Sequence, residues 1–317
     1  MVLEKNRKGY FACRIPALVR TAAGVLVAAY ECRRGSDSDW ADIDIKVQCS
    51  ENDGESWETI ALICGEGKTL NNPVLFADGS RVLLLFCENY REIFLAESVD
   101  GGRSFGAPQA VAVRGADFFW NARAIGPGHG IFHGGRLIVP IWFAYNREDA
   151  HAHRPSLVGT LYSEDGGESW CVGELPDGAE LVNPSESALA VDADGRVVMS
   201  VRNENEERMR AIACSSDGVS GWEKPRLCER LPDPVCQGSM VAVGGVLYHV
   251  NCENRTVREG LTVKASRDGF ATVCRTIPVD GVGGYADIAA SDTELFVLYE
   301  RGVLAEDGEL RFVKIPL

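Results

Sequence analysis

Apolar positions recur along the chain in short runs with a period of two, broken by clusters of Gly, Asp, Asn and Ser, and no helical spacing of useful length competes. The first block reads as four strands, Arg14 to Arg20, Val25 to Glu31, Asp44 to Ser50 and Trp57 to Ile63. A later block repeats the pattern with Glu186 to Asp192, Arg196 to Asn203, Met209 to Ser216 and Trp222 to Cys228.

A turn motif punctuates these blocks. Ser50-Glu-Asn-Asp-Gly-Glu-Ser-Trp57, Ser98-Val-Asp-Gly-Gly-Arg-Ser-Phe105 and Ser163-Glu-Asp-Gly-Gly-Glu-Ser-Trp170 are close copies, and two worn copies run from Ser215 to Trp222 and from Ser266 to Val273. Successive copies start about 50 residues apart, with one wider gap of about 65. In such a turn Gly supplies positive φ, the Asp and Ser side chains bond the turn's own amides, and the aromatic packs back onto the sheet. At about 53 residues per block, 317 residues accommodate six four-stranded units. The expectation is an all-β, six-bladed β-propeller of four-stranded antiparallel blades, forming a single domain over residues 1–317. The sixth unit, Tyr285 to Pro316, lacks the motif and is expected to borrow a strand from the N-terminus.

Composition narrows the function. The chain is 45% hydrophobic and 25% charged, with a net charge of −14. Its 32 bases are scattered, which excludes phosphate-tracking nucleic-acid binders and anionic-membrane binders as classes. An anionic ligand would need a local arginine cluster working against the global field. Three bases lie within Met1 to Lys8, but Arg14 and Pro16 interrupt any following apolar stretch, and the longest hydrophobic run is about Val82 to Cys87. No signal peptide or spanning helix is expected. The 11 cysteines contain no C-x-x-C pair, and Cys32, Cys49, Cys87, Cys214 and Cys252 fall in or beside apolar stretches. They read as reduced core thiols, and the expected location is cytoplasmic.

In a propeller the first strand of each blade lines the central axis, so charges on those strands converge from distant positions. Arg14 lies inside Cys13-Arg-Ile-Pro-Ala-Leu-Val19, an otherwise apolar strand where an unpaired charge is costly. Glu300 follows the apolar run Leu295 to Tyr299 and needs a partner of its own, for which a buried arginine is the obvious choice. Arg202 and Arg258 are the other arginines of interest. Asp39, Glu186 and Asp287 are the remaining acidic candidates, with Asp37 a close rival to Asp39. Gly126-Pro-Gly-His-Gly130 has no helix after it to make a phosphate loop. The histidine pairs His129/His133 and His151/His153 come with no helix or Glu at ligand spacing, so no metal and no cofactor is expected.

Arg14-Ile15-Pro16, the repeated S-x-D-x-G-x-[ST]-W boxes and Tyr285-Ala286-Asp287 together resemble the sialidases (exo-α-neuraminidases) of the bacterial and animal type, over essentially the whole chain. The resemblance implies that Arg14, Arg202 and Arg258 bind the substrate carboxylate, with Glu300 orienting Arg14. It also implies that Tyr285 is the nucleophile with Glu186 as its base, and that Asp39 is the acid/base, Asp37 remaining possible because the loop is short. Arg33 is similar to a family arginine near the sugar's ring hydroxyls, and Phe118-Phe119-Trp120 either wall the pocket or pack. Cys13 in place of an aromatic, Asn52 in place of the box Asp, and the lack of an added lectin domain depart from the family pattern.

Sialic acid carries a carboxylate on its anomeric carbon, which planar guanidiniums recognise in bidentate fashion and which would repel a carboxylate nucleophile. A neutral phenol avoids that repulsion. The expected partner is a sialylated oligosaccharide or glycoconjugate, hydrolysed with retention. Oligomeric state is left open, and so are a non-catalytic glycan-binding propeller and an enzyme that transfers sialic acid or forms an anhydro product.

Overall fold

The computed structural model describes residues 1–178, 180–302 and 307–317. Among them there is no helix, and the strands form six sheets. Each sheet is built on four strands, which is the expected six-bladed β-propeller class. The second and third sheets carry short extra strands, Gly128–His129 on the second and Ala112–Arg114 and Ile131–His133 on the third. Two compact units divide the chain: residues 1–110, 127–129 and 283–317 form the first, and residues 111–126 and 130–282 the second.

The first unit holds the first, second and sixth sheets. The first sheet runs Ala12–Arg20, Leu26–Arg33, Ile43–Ser50 and Glu58–Ile63, close to the expected block. Along Leu26–Arg33 the period of two buries both faces. Val27 and Ala29 pack with Leu75 and Leu84 of the second sheet, while Leu26 and Ala28 pack with Phe296, Leu298 and Phe312 of the sixth. A strand buried on two sides reads as a continuous apolar run, which is why any charge inside it stands out. The sixth sheet is completed by Val2–Lys5, which pairs with Glu309–Pro316, as expected for a borrowed N-terminal strand.

The second unit holds the third, fourth and fifth sheets. In the fourth the strands are Ser187–Val191, Val197–Val201, Met209–Ser215 and Arg226–Pro232. The outermost strand lies four residues later than the expected Trp222 to Cys228, because the box turn runs on past Trp222 before pairing resumes.

All five box turns close in the same way. At Ser163, the hydroxyl donates to Asp165 Oδ1 at 2.7 Å and accepts the Gly167 amide at 2.8 Å, while Asp165 accepts the Ser169 amide at 2.9 Å. Asn52 reproduces this with its carbonyl oxygen, accepting the Ser56 amide at 3.0 Å, so the departure from Asp leaves the turn intact. The worn copies keep their bonds too: Asp217 accepts the Ser220 amide at 2.8 Å, and Asp268 the Thr272 amide at 2.9 Å. Gly54 shows why glycine is needed. With φ 84°, it sits where a Cβ would fall 2.0 Å from the Phe312 ring.

Candidate active site

Arg14 stands beside a bulge. Pairing of Ala12–Arg20 with Leu26–Arg33 slips between Arg14 and Ala17, and Ile15 takes φ 57°. A left-handed β-branched residue is strained, costing about 1–3 kcal/mol, so the surroundings must hold it. Glu300, with 0% of its surface exposed, does so by accepting the Ile15 amide on Oε1 at 2.9 Å. The same carboxylate takes Arg14 in a fork, Nε to Oε1 at 3.2 Å and Nη2 to Oε2 at 3.5 Å, and accepts the Tyr285 amide at 3.3 Å. Gly284 leaves the room, since a Cβ there would meet Glu300 Oε2 at 2.8 Å. The Arg14 guanidinium carbon lies 5.4 Å from the centre of the buried Tyr285 ring. Burial lowers the pKa of Arg14, but the attraction of Glu300, joined by Tyr285 and Asp39, outweighs it and raises the pKa.

A second arginine is held in parallel fashion. Arg33, 1% exposed, donates through Nε at 3.0 Å and Nη2 at 2.7 Å to one oxygen of Glu31, itself fully buried. Its Nη1 lies 2.8 Å from Asp39 Oδ1. Asp39 is also 4.0 Å from Arg14 Nη1, and its side chain remains 48% exposed, so it faces solvent from between two guanidiniums. Asp37 meets Arg33 through its backbone carbonyl, at 2.5 Å from Nη1. The geometry therefore sets Asp39, and not Asp37, with its carboxylate at the two arginines.

Asp287 serves a different purpose. Fully buried, it accepts the Leu18 amide at 2.6 Å and the Ile288 amide at 2.9 Å, and pairs with His129 Nδ1 at 2.7 Å. Within the first unit, Gly128–His129 runs parallel to Leu70–Asp78.

In the second unit, Glu186 immediately precedes Ser187–Val191 and forms an ion pair with Arg202, just past Val197–Val201. Arg210, fully buried, braces this region. Its Nη1 donates to Asp233 Oδ2 at 2.9 Å, its Nε to Ser200 Oγ at 2.7 Å, and its Nη2 to the Glu186 carbonyl at 3.5 Å. His249 accepts or donates to the same Ser200 hydroxyl at 2.9 Å, and burial, with Arg210 nearby, pushes its pKa well down. Arg258 is half-buried in the connection before Glu259–Ser266, close enough for its charge to act on the Cys252 thiol. Phe118 and Trp120 pack against Phe143, at 5.1 and 6.3 Å between ring centres, whereas Phe119 is 45% exposed beneath Arg147.

The first unit thus gathers Arg14, Arg33, Asp39, Tyr285 and Glu300, and the second pairs Glu186 with Arg202. Sequence reasoning missed Glu31, Arg210 and Asp233. Glu31 closes the run Val25 to Tyr30 two residues before Arg33, on the same strand face, and there the signal that singled out Arg14 was present. Arg210 follows Glu206, Glu207 and Arg208 into the apolar run Ala211 to Cys214, so its charge does not stand out.

A family model described as BNR repeat-like domain matches residues 24–278. The curated sialidase of Paraclostridium sordellii is 25% identical over 94% of this chain and 84% of its own length. Among solved structures, a Hadza microbial sialidase, Hz136, superposes with a TM-score of 0.81 at 24% identity, covering 97% of this chain. A leech intramolecular trans-sialidase does so with a TM-score of 0.76 at 15% identity, covering 98%. The chain spans 66% and 68% of those two structures, whose likeness carries the fold. By the family model and its curated relatives, the chain belongs to the BNR repeat-like domain family and, within it, to the sialidases.

Proposed function

We propose that the protein is an exo-α-sialidase that removes terminal α-linked sialic acid from oligosaccharides or glycoconjugates, with retention, through a tyrosine nucleophile. The observation that carries this reading is the pair of buried, carboxylate-locked arginines, Arg14 and Arg33, with Asp39 between them and Tyr285 beside Arg14. Arg14, locked by Glu300, pays little entropy on binding a carboxylate, and the negative charge it accepts is the one that would disable an Asp or Glu nucleophile.

Tyr285 attacks the anomeric carbon as its phenolic proton leaves. Asp39, exposed enough to meet both leaving group and water, donates a proton to the glycosidic oxygen and then takes one from water, a role worth about 10²–10⁴ in rate. Glu186 is assigned the carboxylate base and Arg202 and Arg258 further substrate-carboxylate ligands, on the resemblance to sialidases.

The test is release of sialic acid from a fluorogenic α-sialoside, followed by proton NMR for the first anomer formed. Fluorescence with the α-anomer appearing first is the expected result. No release by the protein overturns the sialidase reading, and a β-anomer first overturns the tyrosine nucleophile. A 2,7-anhydro product would replace hydrolysis by intramolecular transfer.

A further inference from the structure

Two carboxylates in the first unit do the same local work. Glu300 ties down the left-handed Ile15 and grips Arg14, and Glu31 accepts the amide of Asn72, φ 55°, on Oε1 at 2.9 Å while Oε2 grips Arg33. Asn71-Asn72-Pro73 stands where Arg14-Ile15-Pro16 stands in the preceding sheet, with the same slip in pairing before Val74. The second copy has Asn71 in place of the arginine, so its carboxylate is free to hold an arginine from its own strand. That arginine passes the constraint to Asp39.

We infer that Glu31 is a positioning residue for the proton transfer: by fixing Arg33 it fixes Asp39 at the leaving-group oxygen. This rests on the sialidase reading above. Every hydrogen bond that Glu31 accepts is spoken for, by the Arg33 Nε and Nη2 donors and by the Asn72 amide, so its carboxylate has one orientation. Arg33 in turn has its three nitrogens committed, two to Glu31 and Nη1 to the Asp37 carbonyl and Asp39. Asp39 is the one member of this chain with substantial exposure, as an acid that meets substrate must be. Arg14, the other cation at Asp39, sits farther away at 4.0 Å and is held by Glu300, so it cannot replace Arg33.

A purely structural Glu31 and a positioning Glu31 separate by leaving group. An aryl leaving group such as nitrophenolate departs without a proton, whereas the lactose of sialyllactose requires one. With Glu31→Gln, kcat/KM for sialyllactose is expected to fall by about 100-fold and that for the nitrophenyl sialoside by no more than about 3-fold. Adding Glu31→Gln to Asp39→Ala should cost sialyllactose turnover nothing further, since the two act as one unit. If Glu31→Gln does not fold, Glu31→Asp keeps the charge but retracts it by one methylene, and should show the same contrast at about 10-fold. Equal losses on both substrates, or additive losses in the double variant, overturn the inference while the sialidase reading stands. A wild-type protein inactive on both substrates overturns that reading and this inference together.

Discussion

Arg14 and Arg202 look alike in the sequence, each a lone base at an apolar strand, yet the structure treats them differently. Behind Arg14 stands Glu300, fully buried and engaged with Ile15 and Tyr285 amides as well as the guanidinium. Arg202 instead pairs with Glu186, which just precedes a strand and whose backbone carbonyl accepts from Arg210. Glu300 has no capacity left for chemistry, because its oxygens are occupied and dry. Glu186 pairs with Arg202, and its side chain keeps 10% of its surface exposed against 0% for Glu300. A carboxylate that locks an arginine in a dry site and one that keeps an accessible edge are thus distinguishable by exposure.

The comparison breaks first at the reacting groups. Tyr285→Phe should lower kcat by several orders of magnitude with an unchanged melting temperature, since the ring remains packed and only the hydroxyl is lost. Near-wild-type kcat in this variant would remove the nucleophile from the first unit.

Next in size is the contrast between the two carboxylates. Glu300→Gln leaves Arg14 buried without its counter-charge, and should cost about 3–5 kcal/mol of stability in chemical denaturation together with a raised KM. Glu186→Gln should cost no more than about 1–2 kcal/mol but depress kcat more strongly than KM. Equal destabilisation by the two variants would erase the distinction.

The smallest effect concerns the boxes, which are the same in both units. Burial pushes the Asp217 carboxyl up, but the amides of Val219 and Ser220 and the hydroxyls of Ser220 and Ser215 outweigh it and bring it down to about 2. A carboxyl lowered on folding contributes stability that is complete above its unfolded value and is lost as pH falls through the folded one. For Asp217 that window runs from about pH 4 to about pH 2. Asp217→Asn should flatten the acid slope of stability by about 1 kcal/mol, allowing for solvent screening at this partly exposed site, and a slope identical to wild type would show that the turn holds without the charge.

The sequence alone determined the strands, their grouping in fours, the box turns and the borrowed N-terminal strand. All of these rest on local signals: a period of two, glycines at positive φ, and side chains that bond amides two to four residues away. It also marked Arg14 and Glu300 as charges requiring partners, because a strand buried on both faces cannot carry an unpaired one. The tertiary structure decided which partners they take. Arg14 and Glu300 lie 286 positions apart, and Glu31 grips an amide 41 residues on, distances over which no local pattern carries information. It also chose Asp39 over Asp37 at the arginines, a matter of which of two nearby carboxylates the loop aims at Arg33. Local sequence specifies where the backbone bends and which side chains cannot stay alone; the packing of one sheet on the next supplies the charge that meets them.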